Sequence, residues 1–178
     1  MSRLPAISPE TATGKTKELL DAVKHKLGLV PNMTRVMANS PAVLDGYLAF
    51  SGALNASSIP VKLREQIAIV TAQTNACSYC LSAHTAIGKM VGLTPDELGA
   101  SRNAGSPEAK TAAALQFARR LSQTGGSVSQ SDFDAVRKAG WNDGAIAEII
   151  GLVALNLFTN VFNKSAETEI DFPLVKAL

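Results

Sequence analysis

Residues 145–162 contain a single charged side chain, Glu148, in a run of otherwise apolar and neutral residues. A segment this long and apolar has two destinations, a bilayer or the middle of a helical core. Asn156, Thr159 and Asn160 interrupt it together with Glu148, which is more polarity than a membrane span of that length carries. It therefore reads as a buried helix that needs neighbours on most of its faces. The N-terminus, Met1-Ser2-Arg3-Leu4-Pro5, lacks the apolar run of a secretory signal. No membrane association is expected, and the expected location is the cytoplasm.

The neighbours are written along the chain as repeated helix-start signals. After an extended arm over residues 1–12, Thr13 caps a helix through Leu19, Leu20, Val23 and Leu27 that stops at Gly28. Val30-Pro31-Asn32 breaks the chain before a short helix at 33–37. Ser40-Pro41, Thr94-Pro95 and Ser106-Pro107 each pair a capping side chain with a first-turn proline. Ser58 is placed as the cap of a helix over 61–74, and Asn75 as the cap of the next, over 76–90. Ser129 opens a short helix closed by Gly140, and Asn142 caps the long apolar one. No run alternates in the manner of a strand. The expectation is an all-α fold in one domain, 1–178, with 1–39 as an N-terminal arm and helical extension.

Composition narrows the function. The net charge of +2, from 17 basic and 15 acidic side chains without a cluster, gives no surface for nucleic acid. No glycine fingerprint or phosphate-binding loop occurs, so neither nucleotide nor flavin is expected, and no other cofactor. Charged residues are 18% of the chain against 46% apolar, so part of the surface is expected to be covered between subunits.

The two cysteines, Cys77 and Cys80, form a CxxC pair, and His84 follows four residues later. A bond between them would close too small a loop to stabilise the fold, which points to a pair that cycles. At roughly 100° per residue the three side chains share a stripe about 60° wide. The imidazole can then take a thiol proton, and the second sulfur can resolve an oxidised first one. Which cysteine attacks is open on these grounds. Cys77 lies nearer the free N–H groups of the helix start, whereas Cys80 has His84 beside it. Zinc is not expected, because Cys77, Cys80 and His84 on one helix, with Glu65 as a fourth group, converge poorly on one ion. Trp141, Tyr47, Phe158 and Phe162 read as packing residues, and Asn156 and Asn160 as buried polar groups that pair with each other or line an interface.

The segment from Glu65 to His84, with a glutamate, eleven intervening residues, CxxC, three more and a histidine, resembles the alkylhydroperoxidase D and carboxymuconolactone decarboxylase family. Its likeness is to the peroxidase-related branch. The Glu169-Ile170-Asp171-Phe172-Pro173 ending also looks like the tail of that branch. The resemblance implies a compact alkylhydroperoxidase D-like helical fold with CxxC at the start of a central helix. It implies thiol-dependent reduction of hydrogen peroxide or small alkyl hydroperoxides. Cys80 would attack and be the more acidic thiol, Cys77 would resolve, His84 would serve as base, and Glu65 would complete a water-mediated proton relay.

A thiol, a lipoyl group or a thioredoxin-like protein would return the electrons, and the assembly would be a homo-oligomer, with a hexamer favoured over a dimer. Tyr79 is a departure, since the best-known members carry histidine there. A phenol cannot shuttle protons at neutral pH but can donate a hydrogen bond. Three other readings stand beside this one: a general disulfide reductase, a non-catalytic helical oligomer or binding module, and a decarboxylase. The last fits poorly, because the decarboxylase members lack the cysteine pair.

Overall fold

The computed structural model describes residues 2–177, and among them every regular element is helical. The order is α1 (Gly14–Leu27), α2 (Asn32–Met37), α3 (Pro41–Leu54), α4 (Val61–Thr74), α5 (Ser78–Met90), α6 (Pro95–Arg102), α7 (Ala109–Thr124), α8 (Gln130–Lys138) and α9 (Asp143–Ala166). The all-α expectation holds.

Two helices organise the rest. α4 packs against α5, α6, α7 and α9, and buries eight consecutive-turn residues including Leu63, Ile67, Ile69 and Val70. α9 is the long apolar helix foreseen above, with a mean hydropathy of 1.8 over its most apolar window. It is long and apolar enough to cross a membrane, yet its Ile146, Ile149, Leu152 and Val153 join Ile67 and Val70 of α4 and Leu115 and Ala118 of α7 in one apolar cluster. Each such side chain contributes about 1.5–3 kcal/mol by leaving water.

The start signals are obeyed where a cap side chain reaches the first turn. Ser40 accepts from the Val43 N–H, Asn142 from that of Ala145, and Thr94 and Ser129 complete capping boxes with Glu97 and Asp132. Three expected starts move. Glu108, not Ser106, flanks α7, because the Ser106 hydroxyl is turned onto the Glu108 N–H at 3.2 Å. Pro60, not Ser58, precedes α4, since the Ser58 N–H and hydroxyl both bind the carboxylate of Glu148. Asn75 closes α4 instead of opening α5.

The N-terminal segment is built into the fold. Leu19, Leu20 and Val23 of α1 are buried, and the first two pack with Met37 and Leu44. The arm is tied down by Arg3 N–H to the Ala166 carbonyl at 2.7 Å and Ile7 N–H to that of Arg35 at 3.1 Å. At the other end, Ile170, Phe172 and Val175 lie against the α5 cluster, and the Val175 N–H donates to Ser82 Oγ at 2.9 Å. α5 itself approaches α6 closely at Gly88, where an added Cβ would stand 2.9 Å from Leu98 Cδ2.

Candidate active site

The turn between α4 and α5 positions the first cysteine. Asn75 Nδ2 donates to the Thr71 carbonyl at 2.8 Å and to Asn160 Oδ1 at 3.2 Å, which ties that side chain back toward α4 and α9. Ala76 then takes a left-handed conformation, φ 52°, unusual for a residue with a Cβ. The reversal brings the Cys77 N–H onto the Ala72 carbonyl at 2.9 Å and leaves Cys77 as the N-cap of α5. Its sulfur accepts the Cys80 N–H at 3.4 Å, filling the place that a serine or aspartate oxygen fills elsewhere.

That position sets the acidity of the pair. A hydrogen bond from the Cys80 thiol lowers the Cys77 pKa, helped by the Cys80 backbone N–H and by the charges of His84 and Lys164, while burial opposes it. Cys80 is pushed the other way, first by that same hydrogen bond and then by burial and the nearby Cys77 charge. These directions run against the expectation that His84 makes Cys80 the more acidic thiol. The two shifts favour ionisation at the sulfur that caps the helix over ionisation at Cys80.

His84 is engaged by Glu65 of α4. Nδ1 donates to Glu65 Oε2 at 2.8 Å, with side-chain exposures of 24% and 16%. The contact is direct. A carboxylate on Nδ1 fixes the tautomer and leaves Nε2 as the nitrogen that can accept a proton. Tyr79 turns its hydroxyl to accept the Met33 N–H at 3.0 Å and sets its ring edge-on to Phe172. Burial raises the phenol's pKa, so it stays protonated.

These groups border a cavity of about 460 Å³ between α1, α3, α4, α5 and α9. Cys80, His84, Glu65 and Tyr79 line it; Cys77, 1% exposed, does not. Most of the wall is apolar, from Val23, Leu48, Leu54, Ala68, Ile87 and Leu152, and Tyr47 contributes its ring.

Asn156 and Asn160 do not pair with each other. Asn156 Nδ2 donates to the Leu152 carbonyl at 2.8 Å, and Asn160 faces Asn75. A third asparagine, Asn163, was not anticipated: its Nδ2 donates to Cys80 Sγ at 3.4 Å. The spacing 156, 160, 163 continues one helical face, and following that stripe past the apolar segment would have found it.

Residues 41–123 match the model of the carboxymuconolactone decarboxylase family. No curated protein matches the sequence. Among solved structures, the peroxidase-related protein from Silicibacter sp. TM1040 superposes with a TM-score of 0.82 at 24% identity, covering 93% of this chain and 88% of that one. An alkylhydroperoxidase AhpD core, the peroxidase-related protein from Ralstonia eutropha JMP134, gives 0.83 at 23%, over 96% and 92%. The debrominase Bmp8, solved apo and in complex with 2,3,4-tribromopyrrole, gives 0.77 at 22% and 21% identity, over 88% of this chain and 86% of that one. At these identities the likeness is one of fold.

Proposed function

On the footing that the segment 41–123 belongs to the carboxymuconolactone decarboxylase family, we propose that this protein reduces organic hydroperoxides through a Cys77–Cys80 dithiol cycle. The observation that carries the reading is the asymmetry of the pair: Cys80 opens onto the cavity beside His84 and Glu65, and Cys77 lies behind it. Cys80 attacks the terminal oxygen of the hydroperoxide as its own proton leaves by way of His84. The O–O bond breaks, the alkoxide collects that proton and departs as an alcohol, and Cys80 becomes a sulfenic acid. The Cys77 thiolate then attacks the Cys80 sulfur. Hydroxide leaves, takes a proton delivered through His84, and a disulfide remains. Two electrons have passed from the pair to the peroxide.

Two electrons and two protons must return from an external thiol. Cys80 is 3% exposed, so a small thiol or a lipoyl group on a slender arm reaches it more readily than the broad face of a thioredoxin. The same access argument disfavours folded-protein disulfides as substrates. A reducing compartment, the cytoplasm, suits the cycle. The cavity is far larger than hydrogen peroxide needs, which favours an organic substrate. Its size and apolar wall also support a second reading, reductive dehalogenation, in which two electrons and a proton replace a carbon–bromine bond by carbon–hydrogen and release bromide. A turnover assay with cumene hydroperoxide, hydrogen peroxide and a bromopyrrole, each with dihydrolipoamide as reductant, separates the two. The hydroperoxide reading requires cumene hydroperoxide to be consumed fastest, and bromide release without hydroperoxide loss would replace it.

The proposed protein is also a homo-oligomer. α3 buries only Leu44 among its fourteen residues and exposes Val43 and Phe50, and α9 exposes Phe158 and Val161. Neighbouring apolar faces of this kind fit a subunit interface. Light scattering at micromolar concentration should give a multiple of 18.6 kDa, and a persistent monomer would reject it.

A further inference from the structure

The helix start and the cavity lie at different sulfurs. Cys77 caps the start of α5, but Cys80 faces the cavity. Attack by Cys80 requires a negative charge on a sulfur that burial and its neighbour both disfavour. The ionisable groups facing that sulfur are Cys77 at the N-cap of α5, His84 and Tyr79 of α5, Glu65 of α4 and Tyr47 of α3, with Lys164 of α9 beside Cys77.

Two neutral amides on α9 face it as well. Asn163 is 3% exposed and Asn160 1%. Among the described residues, the N–H···S contact from Asn163 Nδ2 to Cys80 Sγ, 3.4 Å, is the only hydrogen bond its side chain makes, and its Oδ1 is buried without a partner. Asn160 is oriented from behind: its Oδ1 accepts from Asn75 Nδ2 at 3.2 Å, and its Nδ2 is buried with no acceptor among the described residues. Both amides nevertheless lower the Cys80 pKa. A buried amide that donates to a neutral thiol, or to nothing, is costly, and leucine would fill the space without that cost. The cost is recovered when the acceptor becomes an anion, because a charged acceptor makes the same N–H bond markedly stronger.

We propose that Asn163 is a catalytic residue, supported by Asn160, whose amide donates to the Cys80 sulfur and holds the negative charge there for attack once the thiol proton has left toward His84. The inference rests on the dithiol reading above, so its test is run without hydroperoxide. In a Cys77→Ser background, the rate of Cys80 alkylation by iodoacetamide is followed against pH, with folding checked by circular dichroism. Adding Asn163→Leu should move the profile to higher pH and slow alkylation near neutrality about tenfold, with the rate recovered in strong alkali. Asn160→Leu should shift it in the same direction by less. If the leucine variant fails to fold, the side-chain amide resonances of Asn163 in the unsubstituted reduced protein carry the test, and they should move as Cys80 ionises. A profile that superimposes on the parent, or resonances that stay fixed, overturns the proposal. A shifted profile in a protein that consumes no hydroperoxide would retain the amide's role and reject the peroxidase reading. Intact turnover with an unshifted profile would reject the amide's role alone.

Discussion

The two halves of α9 do different work. From Ile146 to Val153 its inward side chains are apolar and interlock with α4 and α7. From Asn156 to Asn163 the buried side chains are Asn156, Thr159, Asn160 and Asn163, and two of them keep a polar atom unpartnered. One helix thus has a half whose burial stabilises the fold and a half whose burial costs stability, with Asn163 of that half on the Cys80 sulfur. Local departures from the best-packed solution gather at the second half, as they do where a site is set for chemistry. The left-handed Ala76 lies on the same side, in the turn that presents Cys77.

If the division is real, substitutions in the two halves separate turnover from stability. Cys80→Ser should lower hydroperoxide turnover by roughly a thousandfold or more, as loss of a nucleophile does, and leave the urea midpoint near that of the parent. Ile149→Ala should do the reverse. It removes a fully buried side chain from the α4–α7–α9 cluster, so it should destabilise by about 3 kcal/mol in urea titrations with turnover per folded molecule kept. A core variant that loses turnover first, or a Cys80 variant that unfolds, would break the comparison.

The pH dependence of the reduced protein sharpens it. The lowered Cys77 pKa contributes stability that is present above the ordinary thiol range and lost as pH falls through the folded value. The raised Cys80 pKa acts in the opposite sense: its contribution is present below the ordinary thiol range and lost as pH rises toward the folded value. Stability should therefore climb toward the ordinary thiol pKa and decline beyond it, and the alkaline decline should flatten in Cys80→Ser. Urea midpoints across alkaline pH measure this; an equally steep decline in both proteins contradicts a raised Cys80 pKa. The smallest expected effect is at Ala76. Ala76→Gly relieves a positive φ and should stabilise by about 0.5–1 kcal/mol, less the entropy glycine returns to the unfolded chain.

What could be read from the sequence, and what could not, follows the same division. The caps at Ser40, Thr94, Ser129 and Asn142 were legible because each is a local hydrogen bond between residues three apart. The apolar stripe of α9 was legible because burial there is a matter of periodicity. The start of α5 was not, since nothing in Asn75-Ala76-Cys77 announces a left-handed alanine; tertiary contacts from Asn160 and Lys164 to Asn75 accompany that turn. The pairing of Glu65 with His84 followed from resemblance, but its directness depends on how closely α4 and α5 pack. Asn163 was not legible because it lies just past the apolar run of its helix.

The central claim is that Cys77 and Cys80 exchange two electrons with a hydroperoxide as one unit. Mass spectrometry of the reduced protein after one equivalent of cumene hydroperoxide tests it most directly. The account predicts the loss of two hydrogens from the intact chain, and a proteolytic fragment in which Cys77 and Cys80 are joined to each other. Free thiols after treatment, or Cys80 carried on to sulfinic acid with Cys77 unmodified, would contradict it.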